Sequence, residues 1–267
     1  MGFDLHTHSR CSDGNSTPEE LIREATAKEL EGIALTDHDT VAGIAAAAAE
    51  AEHTGFRFIP GIELTTDFGT KEAHILGYGF DWRHPGLTRK LETIIAAREE
   101  RAKQIIARLN KRLIPLDWET VKSCATGGFI GRPHIFKAME LKGYIDRDHR
   151  DEYFNYYLGQ DGGVAYVPHL EIETEEAVEL INEVGGIPVL AHPGRIGSEE
   201  FLRELIGFGL KGLEVYYPAH SPEQTAHFRE LAEKLGLYAT GGSDYHGKPG
   251  RAELGAAQVP ALPWEKN

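Results

Sequence analysis

Hydrophobic positions along the chain gather into seven short runs separated by amphipathic stretches. Residues 3–5, 32–36, 56–62, 72–78, 187–191, 212–216 and 237–241 are too short for helices, and they are dominated by apolar and β-forming side chains. They read as strands, most of them buried on both faces. Helical signals fill the gaps. Thr17-Pro18-Glu19-Glu20 is a capping box with proline at the first helical position, and Gly32 closes that helix. The alanine-rich stretch 41–51 is helical and ends at Gly55. Further helices are expected over 174–184, after Ser198, and after the second capping box Ser221-Pro222-Glu223-Gln224.

Strand–helix alternation predicts an α/β fold with a parallel sheet. Seven strands suit a barrel of the (β/α)₈ kind with one unit fewer. A doubly wound open sheet is the competitor, but it gathers its ligands at one switch point. Between about 81 and 172 the pattern changes. Stretches 87–112, 117–125, 133–142 and 148–158 are all helical in period, and no strand interrupts them. The expected organisation is a barrel from 1–80 and 173–267, with 81–172 a helical insertion capping the substrate. The proline-rich tail after about Gly255 is expected to wrap the surface.

Composition narrows the class. The 267 residues can bury a full core, and 41% hydrophobic with 26% charged content is ordinary for a globular chain. No apolar run approaches the ~20 residues of a membrane span, and no basic-then-apolar leader precedes the first strand. Cys11 and Cys124 form no framework. These features point to the cytoplasm, with no membrane partner. A formal net charge of −14 argues against stable binding of duplex nucleic acid. An anionic substrate is still allowed, because bound cations reverse the local field.

Candidate chemistry sits where strands end. In Asp-Leu-His-Thr-His-Ser-Arg-Cys-Ser-Asp-Gly, residues 4–14, His6 and His8 are two apart and point the same way on an extended backbone. Asp13, just before Gly14, can return a carboxylate to them. His38, Glu63, His192, Asp244 and His246 fall at other strand ends, the positions that carry chemistry in such barrels. His74 lies inside its run, which implies a strand of different direction or a distorted site. Any one of these histidines is more readily explained by core packing or a helix cap. Together, six histidines and three carboxylates exceed the needs of one ion. Two or three divalent ions are implied, with a carboxylate bridging. Such sites favour phosphate-ester hydrolysis by lowering the pKa of bound water and neutralising phosphoryl charge.

Asp-Leu-His-Thr-His-Ser…Ser-Asp-Gly, Thr-Asp-His-Asp, Gly-Ile-Glu, His-Ile-Leu-Gly-Tyr, Ala-His-Pro and Ser-Asp-Tyr-His-Gly resemble the motifs of the PHP (polymerase and histidinol phosphatase) family of metal-dependent phosphoesterases. The resemblance spans nearly the whole chain. It implies a distorted, TIM-like (β/α)₇ barrel and a trinuclear centre. His6, His8, Glu63 and Asp244 would hold one ion, Glu63, His74 and His192 a second, and Asp13, His38 and His246 a third. Asp13, Glu63, His192 and Asp244 would be indispensable to turnover. Some members have histidine where this chain has Asp13; a carboxylate favours Mn²⁺, Fe²⁺ or Mg²⁺ over Zn²⁺, and Mn²⁺ is the expected cofactor.

The insertion resembles the branch acting on nucleoside phosphates, which includes a 3′,5′-bisphosphate phosphatase and a 5′-to-3′ exoribonuclease. The implied substrate is a small nucleotide or the 5′ end of a short RNA. Gly131-Arg132-Pro133-His134 places Arg132 and His134 at a helix start, and Arg195 follows His192 by three residues; all three are candidate phosphate contacts. A histidinol-phosphate phosphatase and a non-catalytic, polymerase-associated module are the alternatives. Glu214 is expected to orient a ligand. One of Asp37 and Asp39 is expected to hold a ligand histidine, the other to cap a helix. Cys11 is expected to be a packed thiol.

Overall fold

In a computed structural model, which describes residues 2–68, 71–125, 127–160, 162–168, 172–195 and 198–265, the seven runs form one sheet in sequence order. The strands are β1 (Phe3–Thr7), β2 (Gly32–Leu35), β3 (Arg57–Phe68), β4 (Lys71–Tyr78), β5 (Ile187–Leu190), β6 (Gly212–Tyr216) and β7 (Tyr238–Gly241). β1, β2 and β3 are parallel, as are β5, β6 and β7. β4 runs antiparallel to both its neighbours. The sheet is nearly closed: past β7 the chain returns to β1, where the His8 N–H donates to the Tyr245 carbonyl at 2.8 Å and the Ser243 N–H to Asp4 at 2.9 Å. The result is a distorted seven-stranded barrel ringed by helices.

The reversal of β4 explains two departures from the sequence pattern. β3 runs to Phe68, beyond the expected 62, because its second half pairs continuously with β4, from Gly61 opposite Tyr78 to Phe68 opposite Lys71. It also brings the early part of β4, and not its end, to the side where the parallel strands finish. His74 therefore faces the same space as the residues at the other strand ends.

The capped helices form as expected. α1 (Pro18–Ala27) starts in the full Thr17–Glu20 capping box. α2 (Ile44–Thr54) begins three residues later than the alanine pattern suggests and ends at Gly55, whose φ of 68° favours glycine. The segment between β4 and α7 contributes α3 (Pro85–Asn110), α4 (Trp118–Ser123), α5 (Arg132–Leu141) and α6 (Arg150–Leu158). The barrel then resumes with α7 (Thr174–Glu183), α8 (Glu199–Gly207) and α9 (Pro222–Leu235), the last capped by the Ser221–Gln224 box.

Two hydrophobic clusters divide the long α3. Leu87, Leu91 and Ile94 pack with the barrel's helices and strands, whereas Ala102, Ile105 and Leu109 pack in a cluster built wholly from residues between 102 and 167. The tail does more than wrap the surface. Val259 pairs with Phe3, and Trp264 stacks on buried Tyr78 at 5.3 Å, so the tail seals the barrel end opposite the histidines. Among the described residues no helix is long and apolar enough to cross a membrane.

Candidate metal centre

Glu63 is the hub of the polar ring. It sits on β3 three residues past the last residue paired with β2, fixed by backbone bonds from the Asp39 N–H to its carbonyl and from its own N–H to the Asp37 carbonyl. Five imidazoles surround its buried carboxylate. Oε2 lies 3.2 Å from His6 Nε2, 3.2 Å from His8 Nε2 and 3.1 Å from His38 Nδ1; Oε1 lies 2.7 Å from His74 Nδ1 and 3.2 Å from His192 Nε2. Asp244 Oδ1 completes one side at 3.2 Å from His8 Nε2 and 3.5 Å from His6 Nε2. Asp13 closes the other, 3.1 Å from His246 Nε2.

These residues resolve into three groups whose ligand atoms all lie within 4.8 Å of one another. They are His6, His8, Glu63 and Asp244; His38, Glu63 and His74; and His8, Asp13, His38 and His246. The first equals the expected set. In the second, His38 joins Glu63 and His74, while His192 stands beside them with its ring 4.9 Å from that of His74. The third gains His8. Two of the histidines are thus shared between groups, as Glu63 is.

Several atoms in these groups are buried without a hydrogen-bond partner: His6 Nε2, His8 Nε2, Asp13 Oδ1 and Glu63 Oε2. Buried polar atoms are ordinarily satisfied, so convergent unsatisfied donor atoms suit divalent cations. The mix of imidazole and carboxylate fits Mn²⁺, Fe²⁺ or Zn²⁺. Among the described residues, three of the five non-glycine residues with positive φ also lie here, Asp39 at 50°, His192 at 29° and Asp244 at 54°. Strain of this kind is kept where surrounding contacts over-determine it.

Surrounding groups set the direction of each imidazole. The His6 Nδ1–H donates to Glu214 at 2.8 Å and the His192 N–H to the same carboxylate at 2.7 Å. Glu214 is thereby an orienter, as expected, and leaves His6 Nε2 facing the ring. The His246 Nδ1–H donates to the Asp244 carbonyl. The two aspartates flanking His38 hold no ligand histidine. Asp37 accepts from the Ser9 N–H, the Ser9 hydroxyl and the Ser12 hydroxyl, which shapes the loop before Asp13. Asp39 accepts from the Thr65 N–H and pairs with Arg98 at 2.5 Å. Cys11 is a half-buried free thiol.

Protonation follows from these contacts. Burial pushes the histidines down, but the carboxylates override it for some. His8 is raised to about 9 by Asp244 and Glu63, and His74 to about 9 by Glu63 and Glu72. Glu214, Glu63 and Asp244 hold His6 well above its usual range. His38 stays well below its own, through burial and the charge of His8. Against the burial penalty, the same histidines hold Glu63 and Asp244 well below ordinary carboxylates. Without metal, His6, His8 and His74 are therefore biased towards their protonated forms, and cations binding them displace protons.

Beside the ring lies a cavity of about 100 Å³ between His38, Thr65 and His74 on the barrel and Arg98, Phe129 and Arg132 on the insertion. Arg132 does reach this space, where it donates to both oxygens of Glu72 at 3.0 and 3.1 Å. His134 has a different contact pattern from the one expected. Its Nδ1 accepts from the Gly131 N–H and its ring also bonds the Ser12 backbone, so it ties α5 to the metal-side loop; burial lowers its pKa to about 4. Arg195 is exposed and donates to the Tyr217 hydroxyl at 2.9 Å, which in turn donates to Asp244 at 3.0 Å.

Three residues escaped the sequence pattern: Arg98, Tyr217 and Lys248. Arg98 is 5% exposed, stacks over Phe129 at 4.7 Å and has an unpartnered Nε. A signal for it exists. Leu91, Ile94, Arg98, Arg101 and Ile105 keep one helical spacing, and arginine stands twice where an apolar residue belongs. Tyr217 and Lys248, which lies 3.1 Å from Asp13, carry no such periodic mark.

A family model described as PHP domain matches residues 4–184. Among curated proteins, the chain is 36% identical to a 3′,5′-nucleoside bisphosphate phosphatase from Chromobacterium violaceum, over 98% of this chain and 92% of that one. It is 35% identical to a 5′-3′ exoribonuclease from Haemophilus influenzae, over 95% and 93%. It is 33% identical to a phosphoribosyl 1,2-cyclic phosphate 1,2-diphosphodiesterase from Eggerthella lenta, over 97% and 99%. Among solved structures, a Bifidobacterium adolescentis protein provisionally described as a metal-dependent phosphoesterase superposes with a TM-score of 0.86 at 31% identity, over 97% of this chain and 93% of that one.

Proposed function

Since the chain belongs to the PHP domain family and is a hydrolase of phosphoester bonds, we propose that it removes phosphate from a nucleotide, a nucleoside 3′,5′-bisphosphate or the 5′-phosphorylated end of a short RNA. The observation that carries this reading is the cavity beside the ring. One wall is His38 and His74; the other holds the guanidinium groups of Arg98, Arg101 and Arg132 and the rings of Phe129 and Phe154. Guanidinium groups offer forked donors to a phosphate, and aromatic faces accept a base or sugar. Histidinol phosphate would bring a cationic group to the same arginines.

Divalent ions held by the three groups would supply a nucleophilic water of lowered pKa and neutralise charge on the phosphoryl oxygens. We take Mn²⁺ as the natural occupant, two or three per chain. Around such ions the chain's own residues position the ester. Glu63 and Asp244 fix the histidines, Arg132 aims a second phosphate, and Arg195, linked to Asp244 through Tyr217, reaches the first from the opposite side. The insertion 81–172 acts as the cap that selects the substrate. Two free thiols and an acidic surface accord with a cytoplasmic protein that does not coat duplex nucleic acid.

The test is a substrate panel with the Mn²⁺-loaded protein: a nucleoside 3′,5′-bisphosphate, a 5′-phosphorylated oligoribonucleotide, phosphoribosyl 1,2-cyclic phosphate, histidinol phosphate and p-nitrophenyl phosphate. The expected result is the highest kcat/KM on one of the first two. Preference for histidinol phosphate, or equal rates throughout, overturns the substrate assignment.

A further inference from the structure

The three candidate ion groups differ in charge. The first contains two carboxylates, Glu63 and Asp244, with Glu214 directly behind His6. The second shares Glu63 and has Glu72 behind His74 at 3.3 Å. The third contains a single carboxylate, Asp13, and that one is already engaged: the Lys248 ammonium sits 3.1 Å from Asp13 Oδ2, while Oδ1 faces His246. A divalent ion entering the third group would meet three imidazoles and a carboxylate whose charge a resident cation offsets.

We propose that Lys248 serves as a built-in cation of the third site, so that the chain holds two divalent ions tightly and a third only weakly. The inference rests on the metal-centre reading above. The Lys248 side chain is 30% exposed, and its ammonium is held against Asp13 Oδ2. Occupancy of the third site would then follow the free ion concentration, while the first two sites stay filled. A divalent ion near a fixed ammonium is repelled by their product of charges, and at a partly screened site this weakens binding on the order of tenfold or more.

The experiment is a Mn²⁺ titration of the full chain by calorimetry and equilibrium dialysis, comparing wild type, Lys248→Met, Lys248→Gln and Lys248→Arg, with thermal unfolding as a control for folding. The expected wild-type curve has two tight ions and a third at least about tenfold weaker. Lys248→Met and Lys248→Gln should tighten only the third step, by on the order of tenfold, and Lys248→Arg should keep the wild-type curve. A lysine that merely orients Asp13 gives the opposite sign, a weaker third step on removal, and that result overturns the proposal. So do three equally tight ions in wild type. A wild-type chain that binds no Mn²⁺ overturns the metal-centre reading itself.

Discussion

Glu63→Gln removes one charge and almost no volume from the point where five imidazoles meet. Each contact is between 2.7 and 3.2 Å. At an effective dielectric of about 20, unit charges ~3.2 Å apart attract by about 5 kcal/mol. Desolvation of a fully buried pair cancels a large part of that. If about half survives, each ion sharing Glu63 binds roughly 2–3 kcal/mol more weakly, on the order of a hundredfold. Two of the three groups share this carboxylate, so both ions should be lost in buffer that leaves wild type loaded. Asp13→Ala, in contrast, should empty only the third site. Elemental analysis after gel filtration counts the ions, and steady-state kinetics on a nucleoside bisphosphate measures the consequence. Glu63→Gln should retain one ion or fewer and lose roughly a thousandfold in kcat. Its melting temperature without metal should stay within a few degrees of wild type. Equal metal loss in the two variants, or near-normal turnover in either, would refute the hub role of Glu63.

The pH dependence has a definite sign. His8 and His74 have folded pKa values of about 9 against 6.5 ordinarily, so the metal-free fold gains from them below about 6.5 and loses that gain as pH rises through 9. Metal must expel those protons, so Mn²⁺ affinity should climb between pH 7 and 9, by up to about tenfold per unit for each proton released; calorimetry in buffers of different ionisation heat that detects no proton release at pH 7 refutes this. Arg132→Ala should cost ~1.5–3 kcal/mol, roughly ten- to a hundredfold in kcat/KM on a nucleoside bisphosphate, with p-nitrophenyl phosphate spared. A shared loss would assign the arginine to chemistry and not to recognition. Asp37→Ala deletes the acceptor of three bonds from Ser9 and Ser12 and should lower stability by about 2–3 kcal/mol. A melting temperature lower by roughly 5–10 °C, with loss of the third ion, is expected; an unchanged melting point counts against the loop's dependence on it.

Much of this architecture is legible in the chain because strands and ligands obey local rules. A ligand at a strand end is marked by the strand; His74, inside one, leaves a strand of different direction or a distorted site open, and β4 is the former. The length of β3 is not legible in the chain, since residues 63–68 are kept extended by their pairing with β4 and not by a pattern of their own. Asp37 and Asp39 were misread because both flank His38, yet their partners, Ser9 and Ser12 for one and Arg98 for the other, come from remote segments. His134 looked like a phosphate contact from its place at a helix start. Its actual partners, Gly131 and Ser12, depend on how α5 docks on the barrel, which no spacing records.

The reversed β4 also decides where the next segment must begin. It ends at Tyr78, on the sealed side of the barrel, so the connection that follows starts far from the ring. α3 makes the return climb. Its 26 residues span ~39 Å, about the length of the twelve-residue β3 and more than the ~13–26 Å of the other strands, so it extends beyond those strands. Arg98 and Arg101 stand partway along it, where it passes the ring. The helix therefore acts as a ruler. One residue added below Arg98 would swing both guanidinium groups by ~100° around the axis, out of the cavity. Seven added residues would return them to the same bearing but ~10 Å higher. Length changes in this helix are consequently graded by whole turns, and the gap between arginines and ring can change only in steps.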